Sequence, residues 1–443
     1  MIQTFPKGGI HPAEDKFAAG IPIRVLPLPK TVNIPVSQHI GAPSEPLVAK
    51  GDKVKTGQLI AKSNGFVSTN IHSSVTGTVT KVDKMMDSSG YKRMAISIDA
   101  EEDQWEEGID TSKTLNRKIS ATGDEIIRKI LDAGIVGLGG ATFPSHIKLS
   151  VPRGKKAEVL IINGVECEPC LTSDHRLMLE KGEELMVGIQ LLMKALNVKR
   201  ALIGIENNKP DAIRHLSSIA NEYEGIEVRT LQVKYPQGAE KQLVKALIKR
   251  EVPSGKLPID VGTVVHNIGT AFAVYEAVQK NKPLIERVIT VTGKKIESPS
   301  NFMVRIGTLV SDLVEAAGGL PDDTGKIING GPMMGKALKT ADVPVTKGTS
   351  GILIVPSDES RRKPVLNCVR CAKCVSICPM GLEPYLLQAA TEFKKWDLVE
   401  NERALDCMEC GSCSYICPSG RPLLDYIRLG KSTVSKIIRS RKQ

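Results

Sequence analysis

Two stretches decide how the last part of this chain is built: CVRCAKCVSICP (368–379) and CMECGSCSYICP (407–418). Each reads C-x2-C-x2-C-x3-C-P and carries four of the chain's ten cysteines. Zinc sites favour two CxxC pairs parted by a loop, not three cysteines in seven residues with a fourth behind them. Disulfides do not suit a reducing compartment. The proline after each fourth cysteine sets the backbone direction where the run ends.

The spacing is the bacterial ferredoxin run, given twice. In that run three thiolates wrap one corner of a cubane and the fourth reaches the other cluster. The rule predicts one [4Fe–4S] cluster on Cys368, Cys371, Cys374 and Cys417, and a second on Cys407, Cys410, Cys413 and Cys378. Two cubanes in one small domain serve one-electron transfer. The remaining cysteines, Cys167 and Cys170 in NGVECEPC, have no partner pair nearby and read as a thiol pair.

Outward from the cysteines, 443 residues at about 150 per domain suggest three units, and the motif order raises that to four. A charged fraction of 25% is ordinary for globular chains and excludes wholesale disorder. No apolar run approaches the roughly 20 residues of a membrane-spanning helix. The opening MIQTFPKGGIHP lacks a basic segment followed by an apolar one, so the chain is expected in the cytoplasm. Its net charge of +11 is scattered, and 2 Trp, 7 Tyr and 7 Phe offer little base stacking. No nucleic-acid partner is expected.

The fold class read along the chain is multidomain α/β. Residues 1–30 are a Pro/Gly-rich lead-in. Residues 31–100 alternate Val, Ile and Thr between GD, NG and SG turns, as short strands do. GDKVKTGQLIA followed by SSVTGTVTKV resembles the lipoyl/biotinyl barrel-sandwich family. The tip here, SNGFVST, lacks the lysine that carries that family's prosthetic group. Acidic residues 99–110 read as a solvated linker. From about 120 to 280, strands such as EVLIIN alternate with helices such as SDHRLMLEKGEELMVGIQLLMKALN, read as one long amphipathic helix. This is the pattern of a wound domain with a mostly parallel sheet. Residues 284–340 read as strand, strand, helix, with a further strand at KGTSGILIVP (347–356). The expected division is 1–115, 116–282, 283–358, 359–430 and a basic tail, 431–443.

Four loops of the wound domain carry ligand chemistry. GIVGLGGATFPSHIK (134–148) offers Gly137, Gly139 and Gly140 for close backbone approach, and Lys148 for an anion. NGVECEP (163–169) brings Asn163, Glu166 and Glu168 to a strand's C-terminal end, where such sheets bind ligands. YPQGAEKQL (235–243) leads Gly238 and Glu240 into a helix. HNIGTAF (266–272) puts Asn267 and Thr270 at a helix N-terminus able to receive phosphate. Each alone is also what a plain turn or a solvated loop looks like. No G-x-x-x-x-G-K-[ST] loop and no complete G-x-G-x-x-G is present.

In order and spacing the four loops resemble the flavin- and NADH-binding subunit of respiratory complex I. That family has GRGGAGFPTGLKW, NADEGEPG, YICGEETAL and NNVETL. The resemblance implies FMN contacts at Gly137, Gly139, Lys148, Asn163, Asn267 and Thr270. It implies that Glu168 and Glu240 face the nicotinamide nucleotide, with Glu166 near both. The departures fall on the nucleotide side: Leu138, Val165 and Ala239 replace an Arg, an Asp and a Glu. Leu149 or Ser150 stands where the adenine-stacking aromatic belongs.

With the leading barrel-sandwich segment, the FPKGGIHP opening and the double cysteine run, residues 1–430 resemble the RnfC family, a component of Rnf complexes. These are membrane-bound, ion-translocating ferredoxin:NAD oxidoreductases. The resemblance implies a β-grasp module after the flavin domain and membrane subunits as partners. It also implies ferredoxin as a partner, directly or through an iron–sulfur subunit, and a peripheral place on the cytoplasmic face. Electrons would pass between NAD(H), FMN and two [4Fe–4S] clusters. Two alternatives stand beside it: a cluster-bearing wiring module without nucleotide turnover, and a flavin/iron–sulfur protein like the cobalamin reductase of propanediol microcompartments. The tail, with Arg428, Lys431, Lys436, Arg439, Arg441 and Lys442, reads either as a membrane-attracted segment or as a frayed terminus.

Overall fold

The computed structural model describes residues 2–441. The alternating segment folds as an antiparallel sandwich. One sheet pairs Thr31–Pro35, Lys92–Ala100, Gly77–Met86 and Lys53–Val54; the other pairs Glu45–Pro46, Leu59–Lys62 and Ile71–His72. Alternate residues Val32, Ile34, Val79, Ile96 and Ile98 point between the sheets and are fully buried.

Next comes a parallel four-stranded sheet in the order Ile226–Leu231, Ala201–Glu206, Val159–Asn163 and Thr263–Asn267. Every residue of the central strand Ala201–Glu206 is buried, as expected for a strand covered on both faces. The helix Gly123–Asp132 opens on a capping box: Thr122 accepts from the amide of Glu125, whose carboxylate accepts from the amide of Thr122 at 2.7 Å.

The segment read as one amphipathic helix is two, Ser173–Glu180 and Gly182–Leu196. Lys181 leaves helical geometry at φ −131°, and Gly182 lies so close to Ile219 that a Cβ would stand 2.6 Å away. The second helix buries residues all round, from Leu185 to Leu196, because it lies beneath neighbouring helices.

The third unit centres on a six-stranded mixed sheet: Ile23–Val25, Ser300–Arg305, Glu286–Thr292, Gly351–Pro356, Thr324–Asn329, Lys336–Ala337. Its first strand comes from the lead-in. The lead-in is therefore an arm stitched to other units: Gln3 pairs with Leu231, Ile10 with Tyr235, and Phe5 is buried. Its backbone groups find in distant strands the partners an isolated extended segment lacks.

The acidic stretch is likewise not a free linker. Trp105 pairs with Thr56, Asp103 bonds Arg305 at 2.6 Å, and Asp110 bonds Lys280 at 2.6 Å. Lys347 locks three units together: its buried ammonium donates to the carbonyls of Asn70 at 3.0 Å and Gly134 at 2.7 Å. Burial pulls its pKa down to about 7.

The cysteine runs sit in a small helical unit with a core of Leu387, Val399, Leu423, Ile427 and Val434. The segment read as a basic tail from residue 431 continues the helix Leu423–Ser440, which packs on Pro384–Glu392 and Trp396–Asn401. Val434 is fully buried there, so the unit does not stop at 430. Lys442 lies outside the described residues.

Candidate flavin and cluster sites

The ends of three parallel strands bring the four loops together. Asn163 ends Val159–Asn163; its amide donates to the Gly238 carbonyl at 2.8 Å. Asn267 ends the neighbouring strand and caps the helix Ile268–Gln279, accepting from the Gly269 amide at 2.8 Å. The glycine loop lies over this cap. Thr270 accepts from the Leu138 amide at 2.9 Å. A Cβ on Gly139 would stand 2.9 Å from the Asn267 side chain, so only glycine fits that contact. A Cβ on Gly140 would meet nothing within 4 Å, and one on Gly137 nothing nearer than 3.7 Å. The loop is thus held from below and open above, the shape of a ligand cradle beside a helix N-terminus.

Lys148 reaches the same place, donating to the Val265 carbonyl at 3.1 Å and pairing with Glu240. Two acidic positions turn elsewhere. Glu166, at φ 45°, caps the helix Ser173–Glu180, accepting from the amides of Asp174 at 2.7 Å and His175 at 3.1 Å. Glu168, rather than standing open to a nucleotide, lies beneath the six-stranded unit and accepts from the amides of Met333 and Met334. Its carboxyl sits above the usual range because of burial, and those two amides act against the rise.

Sequence reasoning missed Asp174. Its enclosed carboxylate accepts from the Asn267 amide at 2.6 Å in a cavity lined by Leu138, Gly269, Phe272, Glu286 and Arg287. Burial and the nearby Glu166 push its pKa up to about 7. The signal was available in part: Asp174 follows the Glu166 loop and opens a helix. Arg287, which lines the same cavity, lies over a hundred residues away and carries no local mark.

The cysteines converge across the two runs. Burial raises the Cys413 thiol, and the charges of Cys407, Cys410 and Cys378 add to that rise. Cys407 is pushed up to about 11, first by burial, with Cys410 and Cys378 contributing. These four line one cavity. Cys374 instead feels Cys417. Cys378 of the first run therefore sits with three cysteines of the second, and Cys417 of the second lies near Cys374 of the first.

The two runs repeat their backbone as well as their sequence. Arg370 and Ala372 in the first, Glu409 and Gly411 in the second, have φ between 53° and 77°. Such left-handed residues between ligands turn the loop around a centre and point its amides inward. Among the described residues, no three His, Cys, Asp or Glu side chains converge closely enough for a single metal ion. Four thiols around a shared cavity suit a cluster rather than zinc.

The two sets differ in access. Cys378, Cys410 and Cys413 are buried, whereas Cys368 and Cys371 are exposed. The buried set faces the flavin loops: Tyr235 donates to the Cys410 carbonyl at 2.8 Å, and Gln242 to the Pro379 carbonyl at 3.3 Å.

Known proteins share this arrangement. Family models match in the same order: the RnfC barrel sandwich hybrid domain over residues 3–103, the Nuo51 FMN-binding domain over 130–276, the SLBB domain over 288–337 and the 4Fe–4S dicluster domain over 367–421. A relative from Clostridium ljungdahlii is the C-subunit of a proton-translocating ferredoxin:NAD(+) oxidoreductase complex; the chain is 47% identical to it, over 87% of its own length and 84% of the relative's. The Na(+)-translocating counterpart of Acetobacterium woodii is 44% identical, over 97% and 96%. The chain belongs to the RnfC family.

The RnfC fold is shared with a solved NAD+-reducing [NiFe]-hydrogenase chain at 20% identity and a TM-score of 0.51, over 70% of this chain and 62% of that one. The SLBB match places the six-stranded unit as the β-grasp module of the expected architecture. Among the described residues, no helix of this family member is long and apolar enough to cross a membrane.

Proposed function

We propose that this chain is the electron-carrying RnfC component of an ion-translocating ferredoxin:NAD oxidoreductase complex, exchanging electrons between NAD(H) and partner subunits. FMN, when bound, supplies the conversion between two-electron hydride and the single electrons that [4Fe–4S] clusters carry. The chain's own residues make the cradles. Gly137, Gly139 and Gly140 bring backbone against the flavin, and the helix N-terminus at Asn267 and Thr270 receives its phosphate. Lys148 adds a cation, Asn163 holds Gly238 in place, and Glu240 orients Lys148. Glu166 and Glu168 shape the cradle by fixing a helix and the SLBB loop. The eight cysteines of the two runs hold the clusters in the crossed sets.

The observation that carries this reading is the order of the sites. The flavin loops contact the buried cysteine set directly, and the exposed set lies at the surface, open to ferredoxin or to a partner iron–sulfur protein. The chain itself works at the cytoplasmic face, held by membrane partners. Purified full-length protein, reconstituted with FMN, iron and sulfide, tests the reading. NADH should bleach the flavin absorbance and then the cluster absorbance. Stoichiometric flavin that NADH fails to bleach would leave the wiring module in its place.

A further inference from the structure

Tyr235 belongs to the flavin-domain loop that carries Gly238 and Glu240, yet its hydroxyl donates to the backbone carbonyl of Cys410 at 2.8 Å. The ring is 2% exposed and packs with Ile10 and Cys410, alongside Cys167, Met333, Ile377 and Met408. Its neighbours are fixed on every side. Ile10 of the N-terminal arm pairs with its backbone in both directions at 2.9 Å. Met333, held by Glu168, has its carbonyl against Gly411, where a Cβ would stand 2.9 Å away. Three units thus converge around Cys410 and Gly411, and Tyr235 is a flavin-domain side chain whose hydroxyl bonds a cluster cysteine's own carbonyl.

We propose that Tyr235 is a positioning residue for the buried cluster: its hydroxyl fixes the Cys410 loop at the flavin domain and sets that cluster's reduction potential apart from the exposed one. This rests on the cysteine sets given under the proposed function. Hydrogen bonding and solvent exclusion around a cluster tune its potential, and a donor in a buried, low-dielectric place acts strongly. The hydroxyl hydrogen favours the more negatively charged, reduced form. Without it the Cys410 carbonyl loses its buried partner and the reduced form loses that stabilisation.

The test compares full-length protein with Tyr235→Phe and Tyr235→Leu after reconstitution with FMN, iron and sulfide, read by EPR-monitored redox titration. The expected result is a lower midpoint and an altered EPR signature for the cluster on Cys407, Cys410, Cys413 and Cys378, with the other cluster as an unchanged internal control. Loss of the buried cluster alone in either variant would support the same role. Unchanged midpoints in a loaded variant would overturn it, as would equal loss of both clusters in both variants. Failure of the unsubstituted protein to load flavin or iron would instead count against the proposed function.

Discussion

Glu168 and Met333 meet across two domains: the carboxylate accepts the Met333 amide at 2.6 Å and, with the same oxygen, the Met334 amide at 2.9 Å. One enclosed acid therefore holds the SLBB loop down on the flavin domain. Removing it leaves two amides without a partner, at about 1–3 kcal/mol for a buried donor and less for the exposed Met334. Glu168→Ala should lower the thermal midpoint of the full chain and loosen the 330–335 loop to hydrogen exchange. Glu168→Gln, which keeps an acceptor, should lose less. Because burial raises this carboxyl, the native state binds its proton more readily than the unfolded chain. Its contribution therefore falls as pH rises through the folded value, and the Gln variant should have the flatter profile.

Asp174 supplies a second pH dependence with the same sign. Burial lifts it from the ordinary carboxylate range to about 7, so the folded chain holds a proton there that the unfolded chain has released. Stability from this group is full below about pH 4 and declines toward pH 7. Asp174→Asn should thus gain stability relative to the parent as pH rises, measured by denaturant titration from mildly acidic to mildly alkaline buffer. A difference that stays constant across that range would remove the protonated acid from the account.

The crossed cysteine sets make a pairing prediction. Cys378→Ser should abolish the same EPR signal as Cys407→Ser, although Cys378 belongs to the other run. Cys417→Ser should abolish the signal lost in Cys371→Ser. Signals that follow the runs instead would mean each run closes on its own cluster.

These elements differ in how far local sequence exposes them. The cysteine runs were legible because cluster chemistry imposes spacing within a dozen residues, and the crossing follows from the same rule. The four flavin loops were legible because three follow a strand of the parallel sheet, and the fourth is a glycine-rich turn between the helices Gly123–Asp132 and Ser145–Leu149. What escaped is held by distant partners. Nothing near Glu168 marks Met333, 165 residues on. The acidic stretch looked solvated because its cations, Lys280 and Arg305, come from later domains. The break at Lys181 depends on Ile219 and His215 crowding Gly182. The lead-in gave no hint that Ile23–Val25 would complete a sheet whose neighbouring strand is Ser300–Arg305.

Gly139 separates the flavin cradle from the rest of the fold. A Cβ there would press on the Asn267 side chain at 2.9 Å. That amide is already tied to Asp174 and to the Gly269 amide, so it has little room to give. Gly139→Ala should reduce bound FMN several-fold while iron content stays at the parent level. Gly140→Ala, where the new methyl meets open space, tests whether the ligand itself occupies that space. It should also reduce flavin binding, with no change in the thermal midpoint of flavin-free protein.

The C-terminal helix gives opposite expectations for deletion and for charge removal. Lys431 donates to the Cys407 carbonyl at 2.6 Å and pairs with Glu409 at 3.0 Å, and Val434 is fully buried among the core of the cluster unit. Burying a valine contributes about 1.5–3 kcal/mol, and the Lys431 contacts fix the loop that carries the buried cysteine set. Deleting residues 431–443 should therefore lower iron content and the thermal midpoint together. Lys436 and Arg439 lie on the exposed side of the same helix. Converting both to Ala should leave iron content unchanged, and co-sedimentation with anionic vesicles then reads surface charge alone. If the double variant sediments as the parent does, membrane association comes through partner subunits, and the helix serves the cluster unit.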